Sequence, residues 1–250
     1  LEYLDALARE SSEPELIREL QESYKRVGIV QYFSSMPSIG DAAGARESYR
    51  KSLDLAQRLA SMQPGDKKLL NEVAGCWFYL AEAQSECGDE PEALKSLDEA
   101  LQIYRGLAER YPDEWLTHRN VGMVLHRQAV SSMDRGRHEE ARDRFATALE
   151  LRESLLSRWP DEAMLQRDVR VTASSLSMTL VLTHQPIAAQ QHLRRSLSML
   201  RGLVAKNPDD SGLQREMNSI IHRLAEATRD SGQVDESLEL ATRLVVLQDM

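Results

Sequence analysis

Proline recurs in this chain at a strict interval of 48 residues, at Pro64, Pro112, Pro160 and Pro208. A second series with the same interval lies roughly midway between the prolines: Gly40, Gly88, Gly136, His184 and Gly232. Proline cannot continue a helix, and glycine accepts the left-handed conformation that ends many helices. Each series therefore marks helix ends, and histidine is one of the residues that tolerates this conformation. Because the period is strict, we predict an all-α, right-handed superhelical solenoid of about five helical hairpins.

The two series place two helices in each repeat. We predict first helices near residues 14–31, 66–87, 114–135, 162–183 and 210–231. We predict second helices near residues 41–62, 89–110, 137–158, 185–206 and 233–249. The corresponding units cover about 14–62, 63–110, 111–158, 159–206 and 207–250. We expect them to form a single domain over residues 1–250, in which residues 1–13 are the end of an upstream helix and the chain is a fragment of a longer protein.

The apolar pattern within each hairpin indicates how its helices pack. First helices begin with two apolar residues four positions apart, such as Leu69 and Val73, which defines one buried stripe. Second helices place a small residue four positions before a large one, as in Ala93 with Leu97 and Ala141 with Phe145. A small side chain lets two helix backbones approach closely, and the large one fills the space beside it.

These residues resemble the tetratricopeptide repeat, whose pattern is W-x2-L-G-x2-Y, then A-x3-F, then P. The second unit has Trp77, Leu80 and Ala81, then Ala93 with Leu97, and finally Pro112. The usual period is about 34 residues, so the resemblance implies lengthened repeats with extra turns in both helices. HEAT-like hairpins, which span about 40–47 residues, are the alternative at this point.

The first unit has a further resemblance. Five extra residues lie between Gln31 and Gly40, in a loop whose Tyr32 and Phe33 we expect to be exposed. The segments 1–8, 18–20, 26–31, 40–45 and 48–53 together resemble the repeat region that follows the kinase domain in bacterial membrane-anchored serine/threonine protein kinases. The resemblance is specific over about residues 1–60 and generic beyond them. The resemblance implies a kinase domain and a transmembrane helix upstream, with this segment outside the cytoplasm. A cytoplasmic location is the alternative.

Composition and motifs argue against several other functions. The 31 basic and 40 acidic residues give a net charge of −9, which argues against nucleic acid as a partner. We find no apolar run long enough to enter a membrane and no motif for a phosphate loop, a catalytic nucleophile or a metal. We therefore expect no catalytic residue, no metal and no cofactor in this segment. Cys76 and Cys87 are predicted to be free thiols, with Cys76 buried in an apolar run.

The first helices also present a stripe opposite their packing residues, where a solenoid forms its concave face. This strip is more apolar than a solvated face, and we predict that it binds a partner. Its residues are Phe78, Glu82, Met123, His126, Arg127, Val130, Val171, Ser174, Met178, His222 and Glu226, with Tyr32 and Phe33 as the next candidates. The alternative is that the strip packs on itself as core. A carboxylate clamp is excluded because Ile29 and Tyr79 stand where such a clamp needs asparagine, although Lys25 and Arg127 have the necessary charge.

The sequence thus favours a non-catalytic protein-interaction module that binds a protein or peptide. By resemblance it is the sensor or docking region of a bacterial serine/threonine kinase. The alternatives are a free-standing adaptor or assembly factor and, more remotely, an enzyme built on a helical solenoid. The sequence does not indicate the oligomeric state.

Overall fold

The computed structural model describes residues 7–8, 13–33 and 37–240, and these residues form helices and turns without a strand. The helices are α1 (Pro14–Gln31), α2 (Ala42–Met62), α3 (Lys67–Glu86), α4 (Glu90–Arg110), α5 (Trp115–Asp134), α6 (His138–Arg158), α7 (Ala163–Leu182), α8 (Pro186–Lys206) and α9 (Ser211–Asp230). Residues 234–240 are also helical. Every helix end in the described ranges lies within one residue of its predicted position, so the helical-hairpin prediction is confirmed.

Three parts of that prediction fall wholly or partly outside the described residues. The proposed upstream helix over 1–13 is represented by Leu7 and Ala8, which are helical. The end of the last helix, beyond residue 240, and part of the inserted loop, residues 34–36, are likewise not described. That residues 1–250 form a single domain stays a prediction.

The turns inside the hairpins have the predicted left-handed conformation. The glycines at 40, 88, 136 and 232 have φ between 70° and 85°, and His184 has a φ of 59°. In four of these turns the amide that follows the left-handed residue donates to a carbonyl five positions earlier, as from Asp89 to Gln84 at 2.9 Å. This bond is typical of helices that end in a left-handed residue, and it satisfies a carbonyl that the helix leaves unpaired.

The proline loops separate one hairpin from the next. Their aspartates begin the following helix in two cases: Asp66 accepts a hydrogen bond from the amide of Leu69 at 3.0 Å, and Asp210 accepts from Gly212 and Leu213. A side chain that caps a helix start in this way satisfies amides that have no partner within the helix. The loops are therefore explained by helix initiation.

The chain divides into two compact units, residues 1–127 and 128–250, which we describe separately. In the first unit α1 packs on α2, α2 on α3 and α3 on α4. Apolar side chains of α1 to α4 form its core. Its larger members include Ile17, Leu20, Tyr24, Tyr49, Leu53, Leu55, Leu59, Leu69, Val73, Leu80, Leu97, Leu101, Tyr104 and Leu107.

A buried polar cluster joins three helices of this first unit. The Gln21 side-chain amide donates to the hydroxyl of Ser52 at 3.0 Å, and the Ser52 hydroxyl contacts the Cys76 sulfur at 3.4 Å. Cys76 is a buried free thiol, as predicted, and burial raises its pKa. Cys87 is also free, and it is exposed.

In the second unit α6 packs on α7, α7 on α8 and α8 on α9. Its core includes the predicted small and large pair, because Ala141 and Phe145 are both fully buried in one cluster with Val169, Ala173 and Leu176. Ala141 and Phe145 are thus both interior positions, which supports the register predicted from the repeat.

We expect Ala141→Leu to destabilise the second unit by about 2 kcal/mol, because overpacking a filled interior forces neighbouring side chains from their positions. Glu140→Ala is the adjacent control. Glu140 lies at the surface with Arg137 and Arg144, and such pairs contribute about 1 kcal/mol or less. Urea unfolding of both variants measures the difference. Equal midpoints would show that residue 141 is not a contact position.

Candidate functional site

The predicted strip contains residues of both units, and its members differ in exposure. Phe78 and Glu82 on α3 are buried in the first unit, and Glu82 is 4% exposed. The guanidinium of Arg127 on α5 forms an ion pair with the Glu82 carboxylate, again within the first unit. Phe78 and Glu82 are therefore interior residues, as in the self-packing alternative. The ion pair between Glu82 and Arg127 links α3 to α5.

The aromatic residues of the inserted segment are half-buried, so the expectation that they are exposed is wrong. The Phe33 ring packs edge-on against Tyr79, with ring centroids 5.2 Å apart. The Tyr32 hydroxyl donates to the Glu86 carboxylate at 2.8 Å. Burial and this carboxylate raise the pKa of Tyr32 to about 12. Both residues thus hold the start of the insertion against α3.

The remaining strip residues of the first unit are also half-buried. Met123 and His126 lie on α5 and present part of their surface to solvent.

Lys25 of α1, considered above for a carboxylate clamp, donates to Glu22 at 2.8 Å and to Glu72 at 3.0 Å. Burial opposes the charge of Lys25, but the two carboxylates outweigh it and raise the pKa of this lysine. The Lys25 ammonium group is therefore already paired with the carboxylates of Glu22 and Glu72.

The second unit has a different surface, because α7 exposes apolar side chains along one face. Val171 is 41% exposed, Met178 37% and Leu182 47%. Val171 and Met178 are seven residues apart and Leu182 follows after four, so the three lie along one side of the helix. Val130, on the part of α5 that belongs to this unit, is half-buried against the core. We call Val171, Met178 and Leu182 the α7 face.

A pocket of about 140 Å³ opens beside Met178. Its walls come from α7, α8 and α9, and most of its lining is apolar. The lining residues are Ser177, Met178, Val181, Leu182, Leu193, Arg223 and Glu226. The structure thus brings Met178 and Glu226, two members of the predicted strip, to one concave site.

Polar side chains on α9 form the edge of this site. The Arg223 guanidinium donates to the Ser174 hydroxyl and contacts the Ser174 carbonyl oxygen at 3.5 Å. The His222 Nε2 atom lies 3.5 Å from the Glu226 carboxylate, and both side chains are about half exposed or more. Ser174 and His222 therefore lie beside the pocket but not among the residues that line it.

Five of the seven lining residues were not in the predicted strip: Ser177, Val181, Leu182, Leu193 and Arg223. Leu182 follows Met178 by four positions, so the same helical spacing could have identified it. Arg223 belongs to the next repeat, 49 residues from Ser174, and its contact with Ser174 had no signal within either helix.

Within the described part of the chain, we find no group of three or more metal-ligating side chains. None of the described helices is long and apolar enough to cross a membrane.

Residues 76–114 match the profile of the tetratricopeptide repeat family. No curated protein matches this chain in sequence. Solved structures resemble it as well, and the next three are examples. A Podosopora anserina protein described as a kinesin light chain with nearly identical TPR-like repeats is 17% identical with a TM-score of 0.63, covering 95% of this chain and 97% of its own. BtubC (BKLC) from P. vanneervenii is 17% identical with a TM-score of 0.65, covering 99% of this chain and 86% of its own. The apo form of RapI is 13% identical with a TM-score of 0.65, covering 92% and 70%.

At these identities the likeness concerns the fold. The chain has the all-α fold of tetratricopeptide-like helical-repeat proteins. The resemblance seen in the second repeat of the sequence, around residues 63–110, is confirmed by the match over residues 76–114. Helical-repeat proteins of this kind present extended surfaces on which other proteins bind.

Proposed function

We propose that this chain is a non-catalytic module that binds a protein or peptide partner, and that the α7 face is part of its binding surface. The observation that supports this most directly is the exposure of Val171, Met178 and Leu182 beside an apolar pocket. Exposed apolar side chains that cluster around a concavity are a common mark of interaction sites. Methionine favours such surfaces because its flexible thioether adapts to irregular partners.

The wider role we propose is that of a sensor or docking region in a bacterial serine/threonine protein kinase. The support is the sequence resemblance of about residues 1–60 to the repeat region of that family. A free-standing adaptor is the second candidate, and it has the same binding surface. The coding sequence upstream of Leu1 distinguishes the two. A kinase domain followed by an apolar segment of about 20 residues supports the first, and a start codon directly before Leu1 supports the second.

The binding role is tested by comparing what three forms of the protein capture from an extract of the source organism. We expect the wild type and Met62→Glu to retain the same partner after cross-linking, and Met178→Glu to lose it. Met62 is a suitable control because it is an exposed methionine on α2 of the first unit. A partner retained equally by all three forms would place the binding surface away from Met178.

A further inference from the structure

The size of the pocket beside Met178 limits what it holds. Its volume is about 140 Å³, and an apolar cavity of about 150 Å³ is known to accommodate benzene. One leucine, isoleucine, methionine or phenylalanine side chain is of this size. The pocket is open on one side, so such a side chain enters from an extended or helical segment lying across α7 and α9.

Two of the polar side chains in the lining, Ser177 and Arg223, are already hydrogen-bonded within the protein. The Ser177 hydroxyl donates to the carbonyl oxygen of Ala173 at 2.6 Å and contacts that of Ala189 at 3.3 Å. The Arg223 guanidinium is held by Ser174. A polar side chain that entered the pocket would exchange its hydration for few new hydrogen bonds, which is unfavourable. The lining therefore favours an apolar occupant.

The pocket lining contains one carboxylate, that of Glu226, and one guanidinium, that of Arg223, which is held by Ser174. Glu226 is the more exposed of the two, at 48%, and the His222 Nε2 atom lies 3.5 Å from its carboxylate. A cation that approaches from the partner would meet the Glu226 carboxylate at close range. Complementary charges of this kind favour the correct partner and its orientation.

We propose that this pocket receives one large apolar side chain of a partner protein's segment, and that Glu226 selects segments in which lysine or arginine is adjacent to that side chain. The proposal rests on the proposed binding function and names the chemistry of the partner at the same site. The apolar residue supplies the anchor and the basic residue supplies the specificity.

The test uses a random peptide library displayed on phage and selected against the purified chain. We expect enriched peptides to combine a large apolar residue with an adjacent lysine or arginine. Synthetic copies of these peptides are then titrated by fluorescence anisotropy. We expect them to bind Met178→Glu at least about tenfold more weakly than the wild type, since a buried anchor is worth that much. Leu182→Glu gives the same expectation from a second exposed position.

The control for these variants is Met164→Glu, at an exposed methionine of α7 that does not line the pocket. We expect it to bind the peptides as the wild type does. Circular dichroism of all variants checks that their helices are retained.

Charge reversal tests the role of Glu226. Selection against Glu226→Lys is expected to enrich peptides in which aspartate or glutamate is adjacent to the apolar residue. Peptides that lack the basic neighbour, or that bind Met178→Glu and Leu182→Glu at wild-type strength, would overturn the pocket proposal and leave the general binding function intact. A library from which the wild type enriches nothing would count against both.

Discussion

Replacing Glu216 by alanine is expected to lower the free energy of unfolding of the second unit by about 3 kcal/mol. Arg170 on α7 is the reason, because its side chain is 4% exposed and its charge is balanced by Glu216 on α9. The two groups form paired hydrogen bonds, from Nε to Oε1 at 2.8 Å and from Nη2 to Oε2 at 3.3 Å. The remaining Nη1 atom is buried without a hydrogen-bond partner. Without Glu216 the guanidinium would stay buried and uncompensated.

The magnitude is placed at the lower end of the range for broken buried pairs because Glu216 is 32% exposed and water reaches its carboxylate. The double variant Arg170→Met and Glu216→Leu is the control. It removes both charges, and we expect it to recover stability to within about 1 kcal/mol of the wild type, since apolar replacements of buried pairs are commonly neutral or stabilising. Urea unfolding gives the midpoints. A wild-type midpoint for Glu216→Ala would show that Arg170 is hydrated in solution.

The helices of this chain were predictable because their ends are determined locally. Proline at 112 and glycine at 136, for example, restrict the backbone whatever surrounds them. His184 was assigned to a turn from its position in the glycine series, and its φ of 59° confirms that assignment. The repeat strengthened each inference, because the proline and glycine signals recur along the chain at the same spacing of 48 residues.

The strip residues were harder to predict, because their exposure depends on neighbours in other helices. Glu82 lies on the predicted face of α3, yet Arg127 from α5 makes it an interior residue. A helical projection of α3 shows only the residues of α3, so it could not predict the ion pair between Glu82 and a residue 45 positions later. Met178, at the equivalent position two repeats later, is exposed, and it shares the lining of one pocket with Glu226 of the next repeat.

The inserted segment illustrates the same limit. Aromatic residues beside a helix breaker suggested an exposed loop, but Tyr79 on α3 offers a surface on which Phe33 packs. This contact connects positions from different repeats, and the period could not predict it, because the insertion has no counterpart in the other units.

Gly28 supports this arrangement, and we expect Gly28→Leu to destabilise the first unit by about 3 kcal/mol, the upper part of the usual range for overpacking. Gly28 is buried inside α1, and a Cβ atom there would lie 2.5 Å from the Cε1 atom of Tyr49. Tyr49 is fully buried, stacks on Tyr79 at 5.4 Å and donates its hydroxyl to the carbonyl oxygen of Tyr32 at 2.9 Å. The ring has no space to move without losing these contacts.

Gly106→Leu is the matched control, because Gly106 also lies inside a helix of the first unit but has nothing within 4 Å of its Cβ position. There we expect a gain of about 0.5–1 kcal/mol, since glycine is a poor residue for a helix interior. Opposite signs in urea unfolding would thus separate packing from helix propensity. Hydrogen exchange adds a local measurement: if Tyr49 positions the insertion, Gly28→Leu accelerates exchange at Tyr32, whose amide donates to the Gly28 carbonyl. Equal losses at both glycines, or unchanged exchange at Tyr32, would contradict this role for Tyr49.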